Sequence, residues 1–207
     1  MTNLALFDFD GTITRKDTFT DFLYFAVGRK RLLAGKVLLA PVILGYKSGI
    51  VPPGKAREIV AGFGFRGRKL EDLYGVGGHY ARHVLPRYIR SKALRRIRWH
   101  QTNGDKVVVV SASLDFYLIH WCEHHDLELI CSRFIAGHGR VKGTYDHGDC
   151  SGIEKASRIK KRYDLDTYSS VYAYGDTADD KEMLALADVQ FYRWRRIDPS
   201  SNGMERE

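Results

Sequence analysis

Leu4-Ala5-Leu6-Phe7-Asp8-Phe9-Asp10-Gly11-Thr12 runs four apolar residues straight into two carboxylates. A short apolar run without polar alternation reads as a strand buried on both faces, as in a parallel sheet. Carboxylates directly after it repel each other and lose hydration, which is unfavourable unless a cation or a shared proton compensates. A plain Asx-type turn at a strand end is the simpler alternative. Ligands of open parallel sheets bind just beyond the carboxyl ends of the strands, so this segment predicts a strand and the position of a site together.

Four further segments repeat the pattern. Lys106-Val107-Val108-Val109-Val110 ends at Ser111, and Val171 to Tyr174 leads into Gly175-Asp176-Thr177-Ala178-Asp179-Asp180. Leu127 to Cys131 and Val189 to Tyr192 are the remaining strand candidates. Helical patterns at Leu114–His125, Ile153–Arg162 and Lys181–Ala187 alternate with them, and Phe134 to Val141 reads as a hairpin around a Gly-rich turn. The expected fold is α/β, a Rossmann-like parallel-sheet core. Between the first two strands no comparable strand pattern occurs. Helices are predicted at Phe19–Val27, Leu32–Leu44, Lys55–Ala61, Leu70–Val84 and Arg87–Trp99, with breaks at Pro41, Pro52-Pro53-Gly54 and Gly62 to Gly67. The division that follows is a core of residues 1–17 and 104–198, an inserted helical cap domain of residues 18–103, and a tail of residues 199–207 that is expected to fray.

The charge is divided in the same way. Arg15 through Arg98 carries 19 Lys and Arg against 5 Asp and Glu, a net +14 in a chain of 207 residues whose total is +8, so the remainder is at −6. A basic module inserted in an acidic one is either a solvated helical surface or an attractor of anions. Cys122, Cys131 and Cys150 are odd in number and lack Cys-x-x-Cys spacing, which argues against a disulfide framework and a structural zinc site. The apolar stretch Val37 to Tyr46 has ten residues, about half of a bilayer-spanning helix, and the first residues lack a basic leader. The expected location is cytoplasmic, with contact at the inner membrane surface as a further option.

Asp176, Asp179 and Asp180 follow an apolar strand, so one of them can complete an oxygen-only coordination sphere with Asp8 and Asp10. Hard oxygen donors without His or Cys favour magnesium, which keeps waters and recruits a substrate phosphate. Ser111 offers a hydroxyl at a strand end and is expected to open a helix whose free N–H groups receive an anion. Lys155, in Gly152-Ile153-Glu154-Lys155, opposes the dipole of its own helix start, which suggests an anion in front of it.

In this order the four segments resemble the signatures of the haloacid dehalogenase superfamily of aspartate-nucleophile phosphatases: Asp8-Phe9-Asp10-Gly11-Thr12, Val110-Ser111-Ala112-Ser113, Gly152-Ile153-Glu154-Lys155 and Gly175-Asp176-Thr177-Ala178-Asp179-Asp180. The insertion between the first two is similar to the cap of subfamily IB, the phosphoserine phosphatase-like and phosphatidylglycerophosphate phosphatase-like branch. The resemblance implies a phosphomonoester hydrolase in which Asp8 forms an aspartyl-phosphate and Asp10 is general acid and base. It implies that magnesium is held by the Asp8 and Asp176 carboxylates and the Asp10 carbonyl, and that Ser111, Ala112 and Lys155 hold the phosphate. Asp180 would orient Lys155 or a metal-bound water. Asp179 departs from the Asn or Gly of many relatives and is expected in a supporting or solvent-facing position. Asp17 aligns with a glutamate that helps phosphoserine phosphatase bind its amino acid, and its shorter side chain weakens that assignment.

The substrates expected are a small phosphorylated metabolite or a phospholipid headgroup phosphate. The Leu32 to Tyr46 stretch, flanked by Arg29, Lys30, Arg31 and Lys47, reads either as an element on an anionic membrane or as helices packed on their neighbours. Trp194 among arginines could stack on bases, yet an exposed closing strand explains it equally, and nucleic acid is not an expected partner. The competing class is a non-catalytic basic module that grips acidic membrane or nucleic acid. Five intact chemical positions, Asp8, Asp10, Ser111, Lys155 and Asp176, speak against it.

Overall fold

A computed structural model describes residues 2–197; the expectation for residues 199–207 lies outside them. Strands β1 (Leu4–Phe7), β2 (Lys106–Leu114), β3 (Glu128–Ser132), β6 (Val171–Gly175), β7 (Val189–Tyr192) and β8 (Arg195–Ile197) form one sheet in the order β3-β2-β1-β6-β7-β8, while β4 (Phe134–Gly137) and β5 (Arg140–Tyr145) pair as a separate hairpin. All pairings in the large sheet are parallel except β7 with β8. β1 lies at the centre, and Leu4 is level with Lys106 on one side and Val171 on the other. The order reverses beside β1, where a parallel sheet opens a crevice for ligands.

Every side chain of β1 is buried because the sheet has a core on each face. Ala5 and Phe7 point to one face with Val107, Val109 and Tyr174. Leu4 and Leu6 point to the other with Val108, Val110 and Ala173, packed against Ile159 of α8 (Ile153–Arg162) and Met183 and Leu184 of α9 (Lys181–Leu184). A continuous apolar run is the pattern that such two-sided burial requires.

Six helices, α1 (Thr18–Ala26), α2 (Arg29–Leu38), α3 (Ala40–Lys47), α4 (Pro53–Phe65), α5 (Leu70–His83) and α6 (Ser91–Thr102), fall between β1 and β2. Helix α7 (Asp115–His124) follows β2. Several boundaries differ from expectation. The predicted Leu32–Leu44 helix is two helices meeting at Leu39, whose ψ is 0°, since Pro41 supplies no amide hydrogen to the turn before it. Helix α4 continues through Gly62 and Gly64, where a break was expected, because both glycines permit close packing. A Cβ at Gly62 would lie 2.3 Å from the Gly143 carbonyl oxygen. The predicted Arg87–Trp99 helix begins only at Ser91, because Leu85–Arg87 forms a tight turn and Ile89 bridges to Thr14 in extended form. Helix α9 stops at Leu184, short of the expected Ala187.

Glycines on α5 provide a test of this packing. A Cβ at Gly77 would stand 1.8 Å from the Phe116 carbonyl oxygen, whereas one at Gly75 meets nothing within 4 Å. Gly77→Ala is expected to destabilise the protein by about 1–3 kcal/mol through forced separation of α5 from α7. Gly75→Ala is expected to stabilise it by up to about 1 kcal/mol through helix propensity. Urea denaturation midpoints read both signs.

Candidate active site

The strand ends converge on a cavity of about 710 Å³ whose floor includes Asp8, Asp10, Ser111, Lys155 and Asp176. Asp8 leaves β1 with extended backbone, and its N–H donates to the Tyr174 carbonyl at 2.9 Å. The next turn reverses at Gly11, whose φ is +88°. A Cβ there would come within 2.1 Å of Asp176 Oδ2, so glycine is required both for the backbone angle and for the approach of the second acidic loop. Thr12 Oγ1 donates to Asp176 Oδ1 at 3.0 Å and ties the two loops together.

Oxygens of Asp8, Asp176 and Asp180 lie within 4.8 Å of one another. Lys155, 2% exposed, donates from Nζ to Asp8 Oδ1 at 2.6 Å and to Asp180 Oδ1 at 2.5 Å. Burial raises the Asp8 carboxyl well above its usual range, the charge of Asp180 adds to the shift, and Lys155 opposes it. Asp176 is raised by burial and partly restored by Thr12. Burial alone would lower Lys155, but Asp8 and Asp180 hold it above the usual ammonium range. One ammonium among three carboxylates leaves an excess of negative charge, which is the electrostatic demand of a cation site.

Asp180 is fully buried, and its second oxygen accepts from the Asp176 and Thr177 amides at 3.0 and 3.1 Å. With both oxygens engaged, it sets the loop and Lys155. The Asp10 side chain turns away from the cluster. Its Oδ1 accepts from the Thr18 amide at 2.6 Å and its Oδ2 from Ser113 Oγ at 2.5 Å. Burial pushes Asp10 up to about 6, against the hydrogen bonds from Ser113 and Thr18.

Ser111 does not open a helix, contrary to expectation. β2 continues to Leu114 with an irregularity after Ser111, and α7 starts at Asp115. Ser111 Oγ instead accepts from the Ser113 amide at 3.0 Å. Ser111 and Ala112 both line the cavity. Asp17 lines it too, but its carboxylate caps α1 by accepting from the Phe19 and Thr20 amides at 3.0 and 3.3 Å. Asp179 faces the insertion, where Arg57 of α4 pairs with it at 3.2 Å and with Asp149 at 2.7 Å. Burial opposes the Arg57 charge, yet its pairing with Asp149 holds the guanidinium above its usual range.

Sequence reasoning missed Arg57, Thr18 and Ser113. Ser113 stood inside a quoted signature and Thr18 next to Asp17, so hydroxyls within reach of a strand-end carboxylate were the available signal. Arg57 had none, since only the folded insertion brings it across the cavity.

A parallel sheet gathering carboxylates and a buried lysine at its carboxyl edge, beneath a helical insertion, defines a Rossmann-like α/β scaffold with an acidic site at its switch point. The chain belongs to the haloacid dehalogenase family: the model of the haloacid dehalogenase-like hydrolase matches residues 5–185. It is 30% identical over 203 residues to Protein CicA of Caulobacter vibrioides, covering 95% of this chain and 88% of that protein. A structure of a protein of unknown function from Bordetella pertussis Tohama I shares the fold with a TM-score of 0.80 at 19% identity, covering 93% of this chain and 90% of that one. A substrate-bound phosphoserine phosphatase shares it with a TM-score of 0.65 at 18% identity, covering 93% and 86%.

The buried lysine yields a stability prediction. Lys155→Met strands Asp8 and Asp180 without a counter-charge, and a loss of about 3–5 kcal/mol is expected from urea unfolding in the presence of a chelator. Adding Asp180→Asn to Lys155→Met should recover part of that loss.

Proposed function

We propose that the protein is a magnesium-dependent phosphomonoesterase that works through an aspartyl-phosphate, with residues 1–17 and 104–198 as catalytic core and residues 18–103 as cap. The observation that carries this reading is the all-oxygen cluster of Asp8, Asp176 and Asp180, which remains in charge excess although Lys155 is buried within it. The donor set and the glycine-enforced approach of the two loops fit a small hard cation. The Asp8 and Asp176 carboxylates and the Asp10 carbonyl would hold it. When bound, magnesium supplies charge stabilisation to the transferring phosphoryl group.

The side chains divide the remaining work. Asp8 attacks phosphorus as the ester P–O bond breaks, and the departing oxygen takes its proton from Asp10. A water then attacks the phosphorus of the aspartyl-phosphate and gives a proton to Asp10, which releases phosphate and restores Asp8. With Asp10 near 6, about a tenth of the protein carries the needed proton at pH 7, and the carboxylate form is ready for the second step. Ser111, Ala112 and Lys155 receive the phosphoryl oxygens. Asp179 and Asp180 act as supports, Asp179 by holding Arg57 and Asp180 by fixing Lys155.

The upper cavity wall includes Leu23, Val27, Leu32, Ile43 and Phe63. A leaving group with an apolar portion suits this wall, whether it belongs to a small phosphorylated metabolite or to a phospholipid headgroup phosphate.

The test is hydrolysis of a chromogenic aryl phosphate with magnesium. The wild type should turn over and lose activity on chelation, and Asp8→Asn should fall by a factor on the order of 10³ or more. Acid-quenched wild type exposed to radiolabelled substrate should retain hydroxylamine-sensitive label, and Asp8→Asn none. Equal activity of both proteins would refute the assignment of Asp8, and an inactive wild type would favour the non-catalytic module.

Leaving-group dependence tests Asp10 separately. An alkyl phosphate needs a proton on its departing oxygen and an aryl phosphate hardly does. Asp10→Ala should therefore slow single-turnover cleavage of the alkyl ester by about 10²–10⁴-fold and that of the aryl ester far less.

A further inference from the structure

We propose that the outer face of α2 and α3 docks on an anionic lipid bilayer. The inference goes beyond the phosphatase reading and does not depend on it. Nine of the twelve large apolar side chains exposed among the described residues fall between Tyr24 and Ile50, including Val37 at 74%, Leu38 and Leu44 at 65% and Leu33 at 64%. A concentration of this kind on one surface marks an interaction site, whereas isolated exposed apolar residues do not. Gly35 is the one buried residue of the two helices, so they do not pack on neighbours in the manner of core helices.

The two sides of this pair serve different surroundings. Leu32, Leu39, Ile43 and Tyr46 line the cavity above Asp8, while Leu33, Val37, Leu38 and Leu44 stand outside that lining. Helices that are apolar on both sides need a second apolar phase for the outer one.

Charge selects the occupant. Residues 22–57 contain seven Lys and Arg and no Asp or Glu. Arg31, Lys36 and Arg57 line the cavity and Lys55 pairs with Glu58, while Arg29, Lys30 and Lys47 are exposed outside that lining and form the basic cluster of the outer face. A second copy docked through the same face would set two such clusters against each other, because a two-fold interface repeats one surface on both partners. An anionic bilayer offers the opposite charge and an apolar interior to the same face, so both features are satisfied at once. Docking in this way places the cavity wall formed by α2 and α3 at the level of the lipid headgroups.

Vesicle flotation of the full chain tests the proposal, with phosphatidylcholine vesicles compared with vesicles containing phosphatidylglycerol. At low ionic strength the wild type should partition onto the anionic vesicles alone and be released by salt. Val37→Asp with Leu44→Asp, and separately Lys30→Glu with Lys47→Glu, should each weaken partitioning by about tenfold or more. Unchanged circular dichroism and aryl phosphate turnover would show that the variants remain folded. Absence of wild-type binding, equal binding to neutral vesicles, or full binding by the variants would overturn the proposal. So would a lipid-free dimer in light scattering that Val37→Asp with Leu44→Asp dissolves, since a second copy would then cover the face. Vesicle binding by a wild type that hydrolyses no phosphate ester would count against the phosphatase reading and leave this one standing.

Discussion

Lys155 lies between Asp8 and Asp180 with all three side chains nearly out of contact with water, and the rest of the site depends on that arrangement. A buried carboxylate is tolerated only when it is paired and hydrogen-bonded. Asp8 comes from the first strand, Lys155 from the first turn of α8 and Asp180 from the loop after β6, so the pair cannot form until the sheet has assembled. The parallel register sets the distances, since β1 pairs along its full length with Val171–Tyr174 of β6. Glycine at position 11 then lets the Asp176 loop approach where any side chain would block it. The same assembly that satisfies the lysine leaves the carboxylates in excess, and the tendency to attract a cation arises from the fold itself.

Much of this was legible in the chain. Leu4 to Phe7 and Val107 to Val110 carry the pattern of strands buried on both faces, and each ends in a polar group at its carboxyl end. Once a parallel sheet is inferred, Asp8, Ser111 and Asp176 must share one edge. Less legible was whatever depends on side-chain direction. Asp10 and Asp8 are two residues apart, yet one points to Thr18 and Ser113 and the other to Lys155. Helix boundaries failed where tertiary contact overrode local preference, as at Gly62 against Gly143. Ser111 ends the apolar run and is expected to open a helix, but the strand continues past it to Leu114 and its hydroxyl accepts from the backbone two residues on.

The insertion follows a different logic from the core. Its inner side closes the cavity with apolar residues and reaches the acidic loop through Arg57. Its outer side leaves apolar residues exposed beside Arg29, Lys30 and Lys47. Helix-forming patterns without strand-like alternation predict helices there, but both readings of the Leu32 to Tyr46 stretch predict helices. The folded arrangement adds which side chains line the cavity and which are exposed.

The loop from Asp176 to Asp180 joins these two halves. Its three carboxylates sit within five residues and face three surroundings. Asp176 faces the cavity beside Thr12, Asp179 reaches Arg57 on the insertion, and Asp180 is buried against Lys155. The Asp179 carbonyl also accepts from the Gly152 amide at 2.9 Å, which fastens the loop to the start of α8. The Asp179 carboxylate, which also lines the cavity, is therefore engaged by the Arg57 guanidinium of the insertion. Arg57 is in turn oriented by Asp149 as well, through Nε and Nη2 together, so the link between insertion and core rests on a two-pronged guanidinium contact that an ammonium cannot make. Charge added at Asp179 thus strengthens the contact between the two halves without entering the cluster around Asp8.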